Sequence, residues 1–424
     1  MTRLSPAQRA RTATPKSKPR PKQKAKLSRT ASDVRSSAAL ATRAFFDRVF
    51  KAQSMHFYRL AGVTLFLVAF GLIMVLSASS IDSLVATRNS FSVAGKQFIF
   101  AGIGFVLMSF ISLMPTEFIR SKATQVLGLT VVGQLLVFVI GKEINGNRNW
   151  ISVFGLFTIQ PSEFLKFGVI VYLATYLSGH AKRLDESSIW MRAILVCTVA
   201  MGLVMLGKDL GTVLVMTVTF LGAMALAGLP GAMLTRILMV LAVGIPLAIF
   251  SSPSRMGRIM AWINPSAPDP IGYNWQSEHG MWALSAGQIF GSGLGESKMK
   301  WSWIPEVEND FIFAIIGEEL GLIGALVVIA LFLALAFSFL KILQRTNDFF
   351  SRIIVQAIML WIVFQALINI AVVLRLLPVL GVPLPLISAG GSSLIATLMA
   401  IGIVLAIERE NHANGVTPRV RRAR

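Results

Sequence analysis

The sequence predicts an all-α polytopic membrane protein of about ten transmembrane helices, with a large extracytoplasmic loop between the seventh and the eighth. Three observations carry this. Of 424 residues, 54% are hydrophobic and only 14% charged, with a mean hydropathy of +0.68. The apolar runs are about 20 residues long, enough to cross a bilayer as a helix and too long for core strands. The net charge of +20 is gathered mostly in a tail: residues 1–51 hold 14 Lys and Arg against Asp33 and Asp47.

That tail, residues 1–57, comes first. It is rich in Pro, Ser, Thr and Ala, cannot bury a core, and is expected to be disordered. Lys16, Lys18, Arg20, Lys22, Lys24 and Lys26 alternate with small residues and prolines and make no amphipathic face. Anionic lipid at the cytoplasmic surface is the expected partner, with protein docking as the alternative, and no nucleic acid. No cleavable signal peptide is expected, because the first apolar run begins near residue 58 and is already span-length.

The membrane domain covers 58–408. Its spans are expected at about 58–78, 95–114, 123–141, 160–178, 189–206, 211–228, 231–250, 311–340, 353–374 and 390–407. Only Gly228-Leu229-Pro230 separates the sixth from the seventh, so a single segment bent at proline competes with two helices. Cys197, the one cysteine, falls inside the fifth and excludes an intramolecular disulfide or thiolate metal site. A cytoplasmic N-terminus and an even count make the basic tail 409–424 cytoplasmic too. Arg120, Lys122, Lys182, Arg183, Lys341, Arg345 and Arg352 then lie inside. Arg88, Lys96, Lys142, Arg148, Lys208, Arg255, Arg258, Lys298, Lys300 and Arg375 fall outside, where topology does not require them. Several of these are expected to bind something negative.

The polar loops carry the candidate chemistry. In 141–160, Asn145-Gly146-Asn147 reads as a turn presenting Arg148 beside Trp150, either as a phosphate contact or as an arginine snorkelling to the interface. Gln160-Pro161-Ser162-Glu163 opens the fourth span, and Glu163 and Lys166 stand one turn apart, able to neutralise each other. Asp209, in Lys208-Asp209-Leu210-Gly211-Thr212, is placed to cap the next helix. The loop 252–309 is long and dense in tryptophan, which argues for a packed or interfacial surface. Within it, residues 278–290 read as a short helix on the membrane and Gly291–Gly295 as a flexible turn. Asp310 heads the eighth span, with Glu318 and Glu319 deeper, where ionisable groups are costly and read as functional. Three prolines and a Ser/Gly cluster with Ser388, Ser392 and Ser393 lie at the N-terminus of the last span, which offers free amides to an anion, or packs as a re-entrant segment.

Taken in order, these segments resemble the SEDS family of polytopic peptidoglycan glycosyltransferases, over roughly residues 60–408. The carrying motifs are the Arg148/Trp150 loop with Gln160–Glu163, Asp209–Thr212, Phe290–Gly295, Pro305-Glu306 with Asn309–Phe313, Gly317–Gly321, and Leu384–Ser393. Within the family the chain is most similar to the cell-division branch in its actinobacterial form. It departs from the usual pattern at Glu308, where His is common, at Arg375, where Gly is common, and at Lys208, where Pro is common. The resemblance implies polymerisation of lipid II, the undecaprenyl-pyrophosphate-linked disaccharide-pentapeptide, on the outer face of the cytoplasmic membrane at the division septum. It implies Asp310 as the catalytic residue, suited to act as general base. Arg148, Lys166, Asp209, Glu318, Ser388, Ser392 and Ser393 are the candidate substrate-binding residues. A divalent cation, Mg or Mn, is a candidate cofactor for the pyrophosphate, with no metal ligands assigned. The implied partners are a cognate class B penicillin-binding protein and other divisome proteins. A lipid II flippase using Glu163, Lys166, Glu318 and Glu319, and a non-enzymatic scaffold, are the alternatives.

Overall fold

The computed structural model describes residues 53–415, apart from 145, 146, 154, 156, 268, 270 and 302 and the side chain of Ile144. The expectations for the basic tails 1–57 and 409–424 therefore fall largely outside the described residues. All ten expected apolar runs are helical. They are α1 (Met55–Thr87), α2 (Ser92–Leu113), α3 (Thr116–Ile140), α4 (Pro161–Gly179), α5 (Ser187–Leu206), α6 (Leu210–Ala227), α7 (Gly231–Phe250), α10 (Ile312–Arg345), α11 (Phe349–Val373) and α12 (Gly391–Ala413). Among the described residues nine are long and apolar enough to cross a membrane. The tenth, α4, is packed among α3, α5, α11 and α12 and carries Glu163 and Lys166 in the interior. The chain is a multi-pass membrane protein.

Local chemistry sets the element boundaries. Ser54 caps α1 by accepting the Phe57 amide at 3.1 Å, Asp209 caps α6 through the Thr212 amide at 2.9 Å, and Asp348 caps α11 through the Ser351 amide at 2.8 Å. Gly228 ends α6 in the left-handed region at φ 108°, so α6 and α7 are two helices rather than one bent segment. The core lies around α11 and α12, the most buried of the spans. Among the spans, α12 packs chiefly on α2, α11 on α6, and α10 on α1. Helix α7 is different: none of its residues is buried.

Three features differ from the sequence reading. The loop at 141–160 folds as a small antiparallel sheet, β1 (Lys142–Ile144), β2 (Asn147–Val153) and β3 (Phe157–Ile159), where only a turn was expected. The loop 252–309 holds two short helices, α8 (Pro253–Ile263) and α9 (Trp275–Gly287), of which the sequence suggested only the second. The eighth span is also broken: Gly321 leaves helical geometry at φ 68°, ψ −167°. The break is satisfied by the segment read as a flexible turn. Ser292 and Gly293 donate to the carbonyls of Glu318 and Glu319 at 2.9 and 3.0 Å, and Leu322 and Ile323 donate to those of Gln288 and Ile289 at 2.9 and 3.2 Å. Freed backbone groups at membrane depth need such partners. A side chain at Gly291 would meet the Glu319 backbone, so the crossing requires glycine.

Candidate active site

One cavity of about 1760 Å³ occupies the end of the bundle that carries the 252–309 loop. Its upper wall is polar and its lower wall apolar. The apolar part lies between α6, α7 and α11, with Leu214, Leu221, Leu238, Ile245, Phe364 and Leu367 among its lining residues. Five of the unexplained cations, Lys96, Lys142, Lys208, Arg255 and Arg258, line the polar part, as do Glu306, Glu308, Asn309 and Asp310.

The segment before α10 is what brings the acids there. Ile304, Val307 and Phe311 are fully buried and anchor it, while the Asn309 amide closes a turn onto the Glu306 carbonyl at 2.9 Å. The intervening Glu306, Glu308 and Asp310 are left facing the cavity. Two clamps fix this turn to the bundle. Asn369 of α11 donates to the Asp310 carbonyl at 2.7 Å, and the Ala389 amide donates to the Glu308 carbonyl at 2.8 Å. Desolvation raises the Asp310 carboxyl to a pKa of about 7, and the neighbouring Glu306 adds to the rise, against a weaker pull from Arg258. Glu308 is raised for the same first reason, with Asp82 and Glu306 as the charges that add to it. Asp209 is raised by burial too, offset by its bonds from the Thr212 amide and hydroxyl.

Asp310, Asp209, Ser392 and Ser393 all line the cavity, which unites four of the expected site residues. Gln160 ties two of these elements together: its amide donates to Ser392 Oγ at 2.9 Å and its side chain to Asp209 Oδ2 at 3.0 Å. Lys166 lies behind this wall, only 1% exposed, with Nζ 3.2 Å from Glu163 Oε1 and 4.6 Å from the Trp361 ring centre. Glu163 itself reaches the cavity. Ser388 supports the wall without lining it, its hydroxyl accepting the Leu384 amide at 2.9 Å.

Two expected substrate-binding residues lie elsewhere. Glu318 turns to the 291–300 loop, where the Ser297 hydroxyl and the Lys298 amide donate to it, while adjacent Glu319 takes Ser77 at 2.6 Å and Lys300 at 3.6 Å. These glutamates brace the loop against the break in α10. They do not form a path with Glu163 and Lys166. Arg148 is also outside the cavity lining: it is exposed, and its guanidinium donates to the Gly141 carbonyl at 3.1 Å. Asn147, Asn149, Trp150 and Ser152 of β2 line the cavity instead, and Asn149 is only 4% exposed with Oδ1 unpartnered.

Among the described residues no group of three His, Cys, Asp or Glu side chains is set to hold a metal. A divalent ion here would take one or two carboxylates, with Asp310 and Glu306 both lining the cavity, and complete its shell with water or substrate phosphate.

Comparison with known proteins adds to this geometry. Residues 58–413 match the cell cycle protein family FTSW_RODA_SPOVE. A Mycobacterium tuberculosis protein, "Probable peptidoglycan glycosyltransferase FtsW", is 38% identical over 355 residues, covering 82% of this chain and 67% of the relative. The Bacillus subtilis "Stage V sporulation protein E" is 37% identical over 352 residues, covering 82% and 95%. Among solved structures, a chain of a peptidoglycan synthase complex, studied for coordination of polymerisation and crosslinking, superposes with a TM-score of 0.70 at 26% identity, covering 86% of this chain and 99% of that one. The rod shape determining protein RodA of Thermus thermophilus superposes at 0.63 with 25% identity and the same coverage.

Proposed function

The chain belongs to the SEDS family, the cell cycle proteins that group FtsW, RodA and SpoVE, and on that premise we propose that it polymerises lipid II into glycan strands with Asp310 as general base. It is a peptidoglycan glycosyltransferase. The observation that carries the residue assignment is a carboxyl poised near neutrality at the head of a cavity that joins a cationic wall to an apolar slot. Lipid II has the matching parts: a sugar, a pyrophosphate and a polyprenyl tail.

In this reading the Asp310 carboxylate takes the proton from the acceptor sugar hydroxyl as its oxygen bonds to the donor anomeric carbon. The carbon–oxygen bond to the pyrophosphate breaks, and the lipid pyrophosphate departs with the electron pair. Arg258, with Arg255, Lys208, Lys142 and Lys96 around it, stabilises the negative charge that develops there. A bound divalent ion would supply further charge neutralisation at the same place. The polyprenyl chain lies in the slot between α6, α7 and α11, whose α7 wall is open to the bilayer. Cell division, with the septum as its place and a class B penicillin-binding protein and the divisome as partners, is the biological setting proposed from the named relatives. Both termini are proposed to be cytoplasmic, with the cavity on the outer face and the basic tail on anionic lipid.

The test is a reconstitution of purified protein with lipid II in liposomes. Glycan ladders from the wild-type chain and none from Asp310→Asn are expected. Lipid transfer without polymer would favour a flippase, and neither product would favour a scaffold.

A further inference from the structure

A second cavity of about 480 Å³ adjoins the first and shares Arg258, Gln276, Pro305 and Val379 with it. Its own walls add Tyr273 and Trp275. We propose that this cavity is a saccharide subsite that holds a sugar of the growing glycan beyond the reacting disaccharide, stacked on the Tyr273 and Trp275 rings. The proposal rests on the polymerase reading above.

The wall chemistry fits a neutral sugar. A pyranose presents an apolar face of C–H bonds and a rim of hydroxyls, which an aromatic face and planar polar groups complement. The cavity supplies two aromatic rings, one amide and one guanidinium, Arg258 being the only charged wall among the described residues. Its volume falls within the range of roughly 300–1,000 Å³ usual for small-molecule sites. The anionic and lipid parts of the substrate belong to the larger cavity, whose wall is rich in cations and apolar side chains.

The walls are also set before any ligand arrives. The Tyr273 ring lies against Gly257 of α8, where any side chain would collide with it. Asp269 holds the turn leading into the site, accepting the Gly272 amide at 3.0 Å and the Asn274 amide at 2.7 Å. The Trp275 indole donates to the Trp303 carbonyl at 2.6 Å and rests on His279, with ring centres 4.0 Å apart. Gln276 is fixed by its bond to the Pro305 carbonyl at 2.8 Å, in the same turn that ends at Asp310. Yet Trp275 remains 44% exposed. A rigid, open aromatic wall loses little entropy when a ring stacks on it. Its place beside the Pro305–Asp310 turn, continuous with the main cavity, suits a sugar just past the disaccharide that reacts there.

The experiment compares Tyr273→Ala, Trp275→Ala and Trp275→Tyr with wild type in the lipid II reaction, at matched monodisperse protein. Strand length on gels and the initial rate of the first coupling are both read. Either alanine variant should shorten the mean strand by roughly 2- to 10-fold, the loss expected for one aromatic stacking contact, with the first coupling largely retained. Trp275→Tyr should restore length, and Trp301→Ala, on an exposed ring outside the cavity, should leave it unchanged. Saturation-transfer NMR with N-acetylchitotetraose as probe should show contact in wild type and loss in both alanine variants. Wild-type strand lengths in the alanine variants overturn the subsite, as does equal loss of first coupling and strand length. A wild-type chain that makes no polymer overturns the polymerase reading instead, and probe binding then judges the subsite alone.

Discussion

Asn369 grips Asp310 by its backbone and leaves the carboxylate to the cavity: its Nδ2 donates to the Asp310 carbonyl at 2.7 Å and to the Val382 carbonyl at 2.8 Å. One side chain of α11 thus fixes both the acid-bearing turn and the proline-rich segment opposite it. Removing that donor leaves two carbonyls without their partner at the site. Asn369→Ala should cost about 1–3 kcal/mol of stability, and turnover should fall roughly 10²-fold, the penalty for a misplacement of about 1 Å. KM for lipid II should change little. Steady-state kinetics beside thermal unfolding checks this, and a purely raised KM would contradict it.

Asp310 itself sets two opposite pH trends. Its carboxyl is raised from 3.8 to about 7, chiefly by desolvation. The base form therefore grows as pH rises through 7, and kcat/KM should climb with it. Stability runs the other way. A raised carboxyl favours the fold fully below its unfolded pKa of 3.8, and that contribution is lost as pH rises through about 7. Asp310→Asn should lose about 10²–10⁴-fold in rate and should lack the part of the fall in melting temperature between pH 5 and 8 that Asp310 causes. A flat wild-type rate profile over that window would remove Asp310 as the base.

Glu163 and Lys166 should behave as one unit. Both are almost wholly buried, and Nζ also reaches Gln365 at 3.3 Å. Glu163→Leu alone strands a buried cation and should destabilise by about 3–5 kcal/mol. The Glu163→Leu, Lys166→Met double variant should recover most of that. Additive losses on thermal unfolding in the two single variants and the double would show that the pair is not coupled.

Arg258 and Arg148 separate cleanly. Arg258→Ala should raise KM for lipid II by roughly 10- to 100-fold, as expected for one charged hydrogen bond. Arg148→Ala should change it far less, because that guanidinium is spent on carbonyls outside the cavity. The reverse ranking in a lipid II titration would return the pyrophosphate contact to Arg148.

The spans were legible because apolar run length is a direct physical requirement of the bilayer. Of the ten cations that the topology expectation left unexplained, five, Lys96, Lys142, Lys208, Arg255 and Arg258, line the cavity. The place of Arg148 was not legible, because its guanidinium reaches back to the Gly141 carbonyl, a contact that no motif in the sequence announces. Glu318 is buried as expected, but its oxygens accept from Ser297 and Lys298 beside the break in α10, a local contact that depth in the membrane does not reveal. The departures from the family pattern became interpretable only with backbone angles. Arg375 sits at φ 61°, where glycine is at ease, and Lys208 at φ 66°, which proline cannot adopt.

Helix α7 has no residue in the core, although it forms one wall of the main cavity. Its 20 residues make about 30 Å of helix, close to the thickness of the hydrocarbon layer it stands in. Met233, Leu234 and Ile237 rest against the core, and much of the remaining surface of that wall is left to the surrounding acyl chains. Membrane thickness should therefore tune the enzyme: in thinner lipid α7 is expected to tilt and change the width of the slot, so the rate of glycan synthesis in liposomes of graded acyl length should vary with bilayer thickness.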